Sequence, residues 1–239
     1  FNTSNMPRYY DGIYSTVVCS AAPASMFLAK RDPVSDGEAI DHLIEQLSLL
    51  RCNKFVLISS ISVLADNSAL NEDTLEFEVN SVYGKNRRRL EVYCANRFDQ
   101  CLIVRLPALF GEGLKKNFIF DMLNPVPSFL TTDSCNAIKD FLPPNLMSDF
   151  MEALEWISGV LMYKVDRNKI NSMANKHELE HLLIDSGFSS LRFTNPDSKF
   201  QFYNLNRLWA DIEVGLAADL KVKSAEINFY LVRSSVLCL

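Results

Sequence analysis

Four polar residues in the middle of the chain have the types and spacing of an acid–base site. Ser59 and Ser60 end the apolar run FVLISS, and Tyr83 and Arg87 lie four residues apart in the segment VYGKNRRRLEVY. Residues four apart are neighbours on one face of a helix, and a cation beside a phenol favours the ionised form and so lowers the pKa of that phenol. A serine nearby would hold a hydroxyl or carbonyl oxygen while the tyrosine moves its proton.

Hydride transfer between an alcohol and a ketone would use all of these groups. A nicotinamide cofactor supplies the hydride chemistry, and the protein supplies the positioning hydroxyl, the acid–base group and a cation. Two plainer interpretations stay open. The serines would then only terminate a strand, and Arg87 would pair with Glu91, one turn further along the helix.

The segments that must position these residues have the pattern of a parallel α/β sheet. Continuous apolar runs predict strands that are buried on both faces, and apolar residues at helical spacing predict helices between them. The predicted elements are strands at 14–19, 54–60 and 101–106 and helices at 37–51 and 82–98. The first helix is expected to open with a capping box from Ser35 to Glu38. The alternation predicts an open α/β sheet with right-handed crossovers, in which ligands bind beyond the carboxyl ends of the strands.

The second half of the chain has a different texture. Residues 126–145 are rich in Pro, Ser, Thr and Asp and are predicted to be loop, whereas helical spacing predicts helices at 146–165 and 175–188. We therefore expect two domains. The first comprises residues 1–113 and contains the sheet, and the second comprises residues 114–239 and is mostly helical.

Composition and charge exclude several classes of function. The chain has 239 residues, a formal net charge of −5 and 48% apolar residues, which is typical of a globular protein and gives no basic surface for nucleic acid. No apolar run reaches the roughly 18 residues of a membrane span, and no export signal opens the chain. Six cysteines and three histidines show no metal-ligand spacing. We expect no metal, and reduced thiols in a cytoplasmic protein.

Together, these segments resemble the extended short-chain dehydrogenase/reductase family of NAD-dependent sugar epimerases and dehydratases. The resemblance is carried by the paired serines, the Y-x-x-x-[cation] motif and the segment VRLPALFG at 104–111. The segment VVCSAAPA at 17–24 is similar to the family's fourth strand and cofactor-flanking loop, and FVLISSISV at 55–63 to its fifth strand. The resemblance covers residues 13–120 and, more loosely, residues 200–215. It implies a Rossmann-like doubly wound parallel sheet that lacks its first strands. Residues 1–113 would then be a partial NAD(P)-binding domain, and residues 114–239 a smaller, mostly helical substrate-binding lobe with elements that return to the sheet.

The resemblance implies a role for each matching residue. Ser60 falls on the family's catalytic serine, Tyr83 on its catalytic tyrosine, and Arg87 on its lysine. The implied cofactor-binding residues are Ser20, Ala21, Ala22, Pro23, Ser59, Tyr83, Arg87, Pro107, Ala108 and Leu109. The implied substrate-binding residues are Ser60, Ser62, Asn117 and Arg207, and Asp211 matches an aspartate of a later helix. The cofactor would be NAD or NADP, the substrate a nucleotide sugar. A homodimer through the helix that bears the tyrosine is a further expectation.

The chain departs from the family at two points. Arg87 keeps the positive charge of the family's lysine, but its planar fork does not place a single ammonium group between the tyrosine and the nicotinamide ribose. Lys85 is two residues from Tyr83, so it faces away and cannot replace that lysine. The 239 residues also contain no G-x-x-G-x-x-G turn, the segment that holds a cofactor pyrophosphate. We therefore expect the isolated chain to bind NAD(P) weakly.

Two hypotheses follow for the function. The first is an NAD(P)-dependent oxidoreductase or epimerase that acts on a nucleotide-sugar-like substrate. The second is a catalytically degenerate or truncated relative that keeps the fold for binding or assembly. A dehydratase is disfavoured, because that subgroup has an Asp-Glu pair where this chain has Ile61 and Ser62. A hydrolase that uses Ser60 is disfavoured as well, because the chain lacks the G-x-S-x-G elbow.

Overall fold

The computed structural model describes residues 6–65, 76–114, 118–193 and 201–224. The helices and strands of these residues are, in chain order, β1 (Ile13–Cys19), α1 (Met26–Arg31), α2 (Pro33–Ser48), β2 (Arg51–Ser60), α3 (Val82–Arg97), β3 (Cys101–Leu106), β4 (Ala108–Phe110), α4 (Phe118–Leu123), β5 (Phe129–Leu130), α5 (Thr132–Phe141), α6 (Pro144–Glu152), β6 (Leu154–Ile157), β7 (Met162–Val165), α7 (Arg167–Ser172), α8 (Lys176–Asp185), β8 (Phe202–Asn204), α9 (Leu208–Ala217) and β9 (Val222–Ser224). They fall into two compact units that divide after Gly111, and residues 201–224 belong to the first unit.

The first unit is built on a parallel sheet with the strand order β1-β2-β3-β9. The three predicted strands are adjacent and parallel, as expected. The pairing of β2 with β3 runs from Phe55 and Cys101, where β3 begins, to Ser60 and Leu106, where both strands end. The carboxyl ends of β2 and β3 therefore lie side by side, and the two candidate serines lie at that edge. The predicted Rossmann-like α/β class is confirmed.

Apolar side chains cover both faces of this sheet. On one face, Phe55, Leu57 and Ile103 pack in a cluster with residues of α2 and α3 that include Leu43 and Leu90. On the other face, Val56, Leu102 and Val104 form a cluster with Tyr203 and Ile212, which come from β8 and α9. Because successive strand residues point to opposite faces, a strand covered on both sides must be apolar throughout. The coverage of both faces of the sheet therefore explains the continuous apolar runs in the sequence.

The two long helices of the first unit begin where side chains satisfy their free backbone N–H groups. Asp32, not Ser35, caps α2: its carboxylate accepts from the backbone N–H of Ser35 at 3.0 Å, and Pro33 occupies the first helical position. The predicted capping box is therefore wrong, and the helix starts earlier than expected. Ser81 caps α3 through the backbone N–H of Gly84. The short helix α1 was not predicted.

The second unit corrects two predictions. The helix predicted at 146–165 is wrong, because α6 ends at Glu152 and the remaining residues form the antiparallel hairpin β6–β7, to which β5 is added. The apolar residues of α6 run directly into Leu154, so their spacing does not reveal the end of the helix. Within the predicted loop at 126–145 lies α5, capped by Thr131, whose hydroxyl accepts from the backbone N–H of Ser134. The polar residues there start a helix.

The predicted helix at 175–188 is confirmed, with α8 at Lys176–Asp185. Its buried residues include Leu179 and Leu183, which belong to the apolar core of the second unit. In the part of the chain that the structure describes, no helix is long and apolar enough to cross a membrane.

We expect the stability of the first unit to fall between pH 9 and pH 11. Burial raises the pKa of the Cys101 thiol to about 11 from its ordinary value of 9.0, and burial also raises the pKa of the Cys94 thiol. A raised pKa in the folded state means that the stabilisation is complete below the unfolded pKa and is lost as the pH rises through the folded one. For Cys101 this amounts to about 3 kcal/mol.

Urea unfolding at pH 8, 9, 10 and 11 tests this prediction. Cys101→Ala serves as the matched control, because it leaves the sheet apolar at that position and removes the titrating group. The variant should lose less stability than the natural chain between pH 9 and pH 11. Equal losses would show that the Cys101 thiol does not couple folding to pH.

Candidate active site

Ser60 ends β2 and caps the short 3-10 turn Ile61–Val63 that follows it. Its Oγ accepts from the backbone N–H of Ser62 at 3.2 Å, and it donates to the hydroxyl of Ser62 at 3.2 Å. Ser62 Oγ lies 4.0 Å from the sulfur of Met26 in α1. The two predicted substrate-binding serines are therefore held in one turn at the carboxyl edge of the sheet.

The first turn of α3 packs directly on this serine turn. A Cβ atom added to Gly84 would lie 2.4 Å from the carbonyl oxygen of Ser62, so only a residue without a side chain lets the helix approach so closely. Tyr83 precedes Gly84 and is half-buried. The close approach at Gly84 brings the helix turn that carries the phenol next to the turn that carries Ser60.

The segment before α3 is fixed to the serine turn by backbone hydrogen bonds. The N–H of Glu78 donates to the carbonyl of Val63 at 2.9 Å, and that of Ala65 donates to Glu76 at 3.0 Å. The Glu78 carboxylate accepts from the backbone N–H groups of Asn80 and Ser81, which lower the pKa of that carboxyl. Backbone hydrogen bonds thus hold the segment before α3 to the serine turn, and the Glu78 carboxylate holds the same segment to the start of α3.

Arg87 is buried, with 3% of its surface exposed, and its guanidinium contacts three other parts of the first unit. Nη1 lies 2.5 Å from Oδ2 of Asp36 in α2, and Nη2 donates to the carbonyl oxygen of Pro23. The guanidinium carbon lies 4.1 Å from the centre of the Tyr83 ring, within the range of a cation–π interaction. Asp36 also accepts from Asn86 at 2.8 Å. The ion-pair partner of Arg87 is therefore Asp36 and not Glu91.

Ser59 turns its hydroxyl into the protein interior. Its Oγ donates to Oε1 of Glu91 at 2.7 Å. Glu91 is fully buried in α3 and forms an ion pair with Arg105, which pairs with Ser59 in the register of β2 and β3. The sequence analysis missed Asp36 and Glu91 as parts of the site. Glu91 lies eight residues after Tyr83 and therefore on the same face of α3. This spacing could have identified Glu91 as part of the site.

The remaining predicted residues lie at the same edge of the sheet or outside the described part of the chain. Pro107 is buried directly after β3, and Ala108 and Leu109 form part of β4, which pairs with β8. Ala21 and Ala22 are half-buried beside the core, in the loop after β1 that contains Pro23. Asn117 lies outside the described residues.

A separate polar group lies around the start of α9 and consists of Tyr203, Arg207 and Asp211. Arg207 is exposed and lies 3.6 Å from Asp211. The hydroxyl of Tyr203 donates to Asp211 at 2.5 Å. Burial and this hydrogen bond raise the pKa of Tyr203. Among the residues that the structure describes, no group of three or more His, Cys, Asp or Glu residues could hold a metal ion.

Comparison with known proteins gives matches at the level of structure. No family model matches the chain, and no curated protein matches it. A UDP-N-acetylglucosamine 4-epimerase from Bacillus cereus is 14% identical, with a TM-score of 0.45 over 93% of this chain and 61% of that chain. A structure of RMD from Pseudomonas aeruginosa, complexed with NADPH, is 13% identical, with a TM-score of 0.49 over 88% of this chain and 60% of that one.

A third similar structure is a UDP-galactose 4-epimerase, 24% identical, with a TM-score of 0.40 over 46% of this chain and 40% of that chain. The chain thus spans between 40% and 61% of the length of these three proteins. The parallel strand order and crossover helices described above agree with the resemblance found in the sequence. The fold of the first unit is a Rossmann-like parallel α/β sheet.

Proposed function

We propose that this chain carries the reacting part of an NAD(P)-dependent oxidoreductase or epimerase site. The observation that supports it is the contact between the turn of Ser60 and Ser62 and the helix turn of Tyr83, made through Gly84 at the carboxyl edge of a parallel sheet. Ligands of such sheets bind at this edge. A hydroxyl and a phenol on adjacent turns there suit a substrate oxygen that must be held while its proton moves.

Each residue has a distinct role in the proposed reaction. Ser60 donates a hydrogen bond to the reacting oxygen of the substrate, and Tyr83 takes the proton from that oxygen or returns it. Arg87, held by Asp36 and Pro23, keeps its guanidinium against the ring of Tyr83 and so fixes the position of the phenol.

The residues at this edge fit the nicotinamide half of a cofactor. The loops after β1 and β3 both leave the sheet here, and the small side chains of Ala21, Ala22 and Ala108 let a flat ring approach the backbone. The loop residue Ser20, Leu109 of β4 and the buried Pro107 belong to the same proposed group. When bound, the cofactor gives or accepts the hydride. Ser60, Ser62 and Arg207 are the proposed contacts to a nucleotide-sugar-like substrate.

A second candidate function is favoured by the surroundings of Arg87. Asp36 neutralises its charge, and Pro23 accepts one of its N–H groups, so the guanidinium is engaged within the protein. A chain in which this residue only holds α3 to α2 would bind a nucleotide sugar without turning it over.

We also propose that the protein forms a homodimer through α3.

Turnover by the natural gene product tests the proposed function. The assay offers NAD or NADP with a panel of nucleotide sugars and follows the reduced nicotinamide by absorbance and the sugar by chromatography. We expect Ser60→Ala to lower turnover by about 10²-fold, the value of one positioned donor to a reacting oxygen. Ser48→Ala is the matched control, because Ser48 ends α2 and its hydroxyl donates to the carbonyl of Glu45 in the same helix.

Two results would count against the proposal. If Ser60→Ala had the same turnover as the natural protein, Ser60 would have no role in the reaction. Binding of a nucleotide sugar without turnover of any panel member would favour the second candidate. Fluorescence titration of the isolated 239-residue chain with NADH or NADPH completes the test, since the sequence contains no glycine-rich pyrophosphate turn and weak binding is expected.

A further inference from the structure

Glu91 lies at the point where the ends of two strands meet the tyrosine helix. Its side chain is 0% exposed. Oε1 accepts from Ser59 Oγ at 2.7 Å and from Arg105 Nε at 3.0 Å, and Oε2 accepts from Arg105 Nη2 at 2.8 Å and from Arg88 Nη1 at 3.0 Å. A carboxylate has about four acceptor positions, so the hydrogen bonds use all of them. The carboxylate is therefore fixed in one orientation.

The charges around Glu91 strengthen this arrangement. Arg105, 2% exposed, binds both carboxylate oxygens with its planar fork, a geometry that is strong and directional. Arg88 adds a second positive charge from the same helix, and the ring of Phe77 covers it at 3.8 Å. Phe77 in turn bridges to Leu64, directly after the serine turn. Ser59 and Glu91 thus link the end of β2 to α3. Arg88, Phe77 and Leu64 link α3 back to the serine turn.

We propose that Glu91 is a positioning residue for Ser60 and Tyr83. Ser59, which donates to Glu91, is the residue directly before Ser60, and Tyr83 lies two turns before Glu91 on the same helix. The carboxylate holds the end of β2 against α3, and so sets the distance between the serine hydroxyl and the phenol. This inference rests on the proposed function.

Stability alone does not account for this cluster. Taking ions out of water is costly, and well-packed apolar side chains in place of a buried ion pair are often equally stable or more so. Apolar side chains would leave the end of β2 free to shift along the helix, whereas a bidentate pair and a serine bond fix one position. A misplacement of about 1 Å can lower a reaction rate by as much as 10²-fold.

The test measures kcat and KM of the natural gene product with Ser59→Ala, Ser59→Thr and Glu91→Gln. Ser59→Ala removes only the hydroxyl, and we expect kcat to fall by about 10- to 100-fold with KM unchanged. Ser59→Thr keeps the hydroxyl and should restore most of kcat. Arg97→Ala is the control for a purely structural loss, because Arg97 lies on the same helix and bonds to the carbonyls of Ser48 and Leu50. It should lower the melting temperature and leave kcat unchanged.

The outcomes separate this inference from the proposed function. If Tyr83→Phe abolishes turnover and Ser59→Ala leaves kcat unchanged, Glu91 does not position the site and the proposed function stands. If Tyr83→Phe has no effect on turnover, the proposed function fails and this inference fails with it. If Glu91→Gln does not fold, Ser59→Ala and its rescue by Ser59→Thr decide the question alone.

Discussion

Tyr83→Phe is expected to lower turnover of the natural gene product by about 10²- to 10⁴-fold, the usual contribution of a positioned proton carrier. The substitution removes one oxygen and keeps the ring that lies on the guanidinium of Arg87. The fold should therefore stay intact, and KM should change little, because the phenol acts on the proton in the transition state. Steady-state kinetics with the substrate that gives turnover, together with circular dichroism, measure both parts of the expectation.

Tyr93→Phe is the matched control for this variant. Tyr93 lies on the same helix and is also half-buried, and its neighbours are Arg97 and Ser48. It should retain the turnover of the natural protein. A Tyr83→Phe protein as active as the Tyr93→Phe protein would show that Tyr83 carries no proton, and the chain would then be better described as a binding relative of the enzymes that it resembles.

The second large effect concerns stability. Asp36→Asn should lower the free energy of unfolding by about 3–5 kcal/mol, because Arg87 would keep its charge in a buried position without a counter-ion. The side chains of Arg87 and Asp36 are 3% and 5% exposed, so water cannot replace the lost carboxylate charge. Urea unfolding at neutral pH measures the change.

The same two helices contain the control for this prediction. Arg89 and Asp41 also join α3 to α2, at 3.1 Å, but their side chains are 44% and 60% exposed. Asp41→Asn should cost no more than about 1 kcal/mol. Asp36→Leu combined with Arg87→Met should recover much of the loss, because no charge then remains buried. If Asp36→Asn and Asp41→Asn had equal small effects, burial of the Arg87 pair would not matter for stability.

The sequence predicted the parts of the first unit that depend on local pattern. Strands buried on both faces appear as continuous apolar runs, and the serines at the end of one of them and the Tyr83 motif mark the carboxyl edge. In the structure the first turn of α3 packs on the turn that follows Ser60, through Gly84. The partner of Arg87 was not predicted, because Asp36 lies 51 residues away and no local spacing connects them.

Helix α3 shows why spacing alone was insufficient. Its buried residues include Gly84, Arg87 and Glu91, which a pattern based on apolar residues assigns to the solvent. Arg87 and Glu91 can be buried in α3 because Asp36 and Arg105 pair with their charges. In the second unit, the polar residues that start α5 resembled a loop, and the apolar spacing of α6 continued into a strand. Both errors arise at boundaries, where capping and strand pairing outweigh periodicity.

The pairing of β9 with β3 has a consequence for how the chain folds. Ile103 pairs with Val222, so the central sheet gains this strand only after the whole second unit has been synthesised. The contact closes a loop of roughly 120 residues, and such non-local pairing is slow. Until the residues of β8 and α9 have been synthesised as well, Val56, Leu102 and Val104 lack the cover of Tyr203 and Ile212. During synthesis the chain should therefore pass through a state with one apolar face of the sheet uncovered, and that state is the one most prone to aggregate.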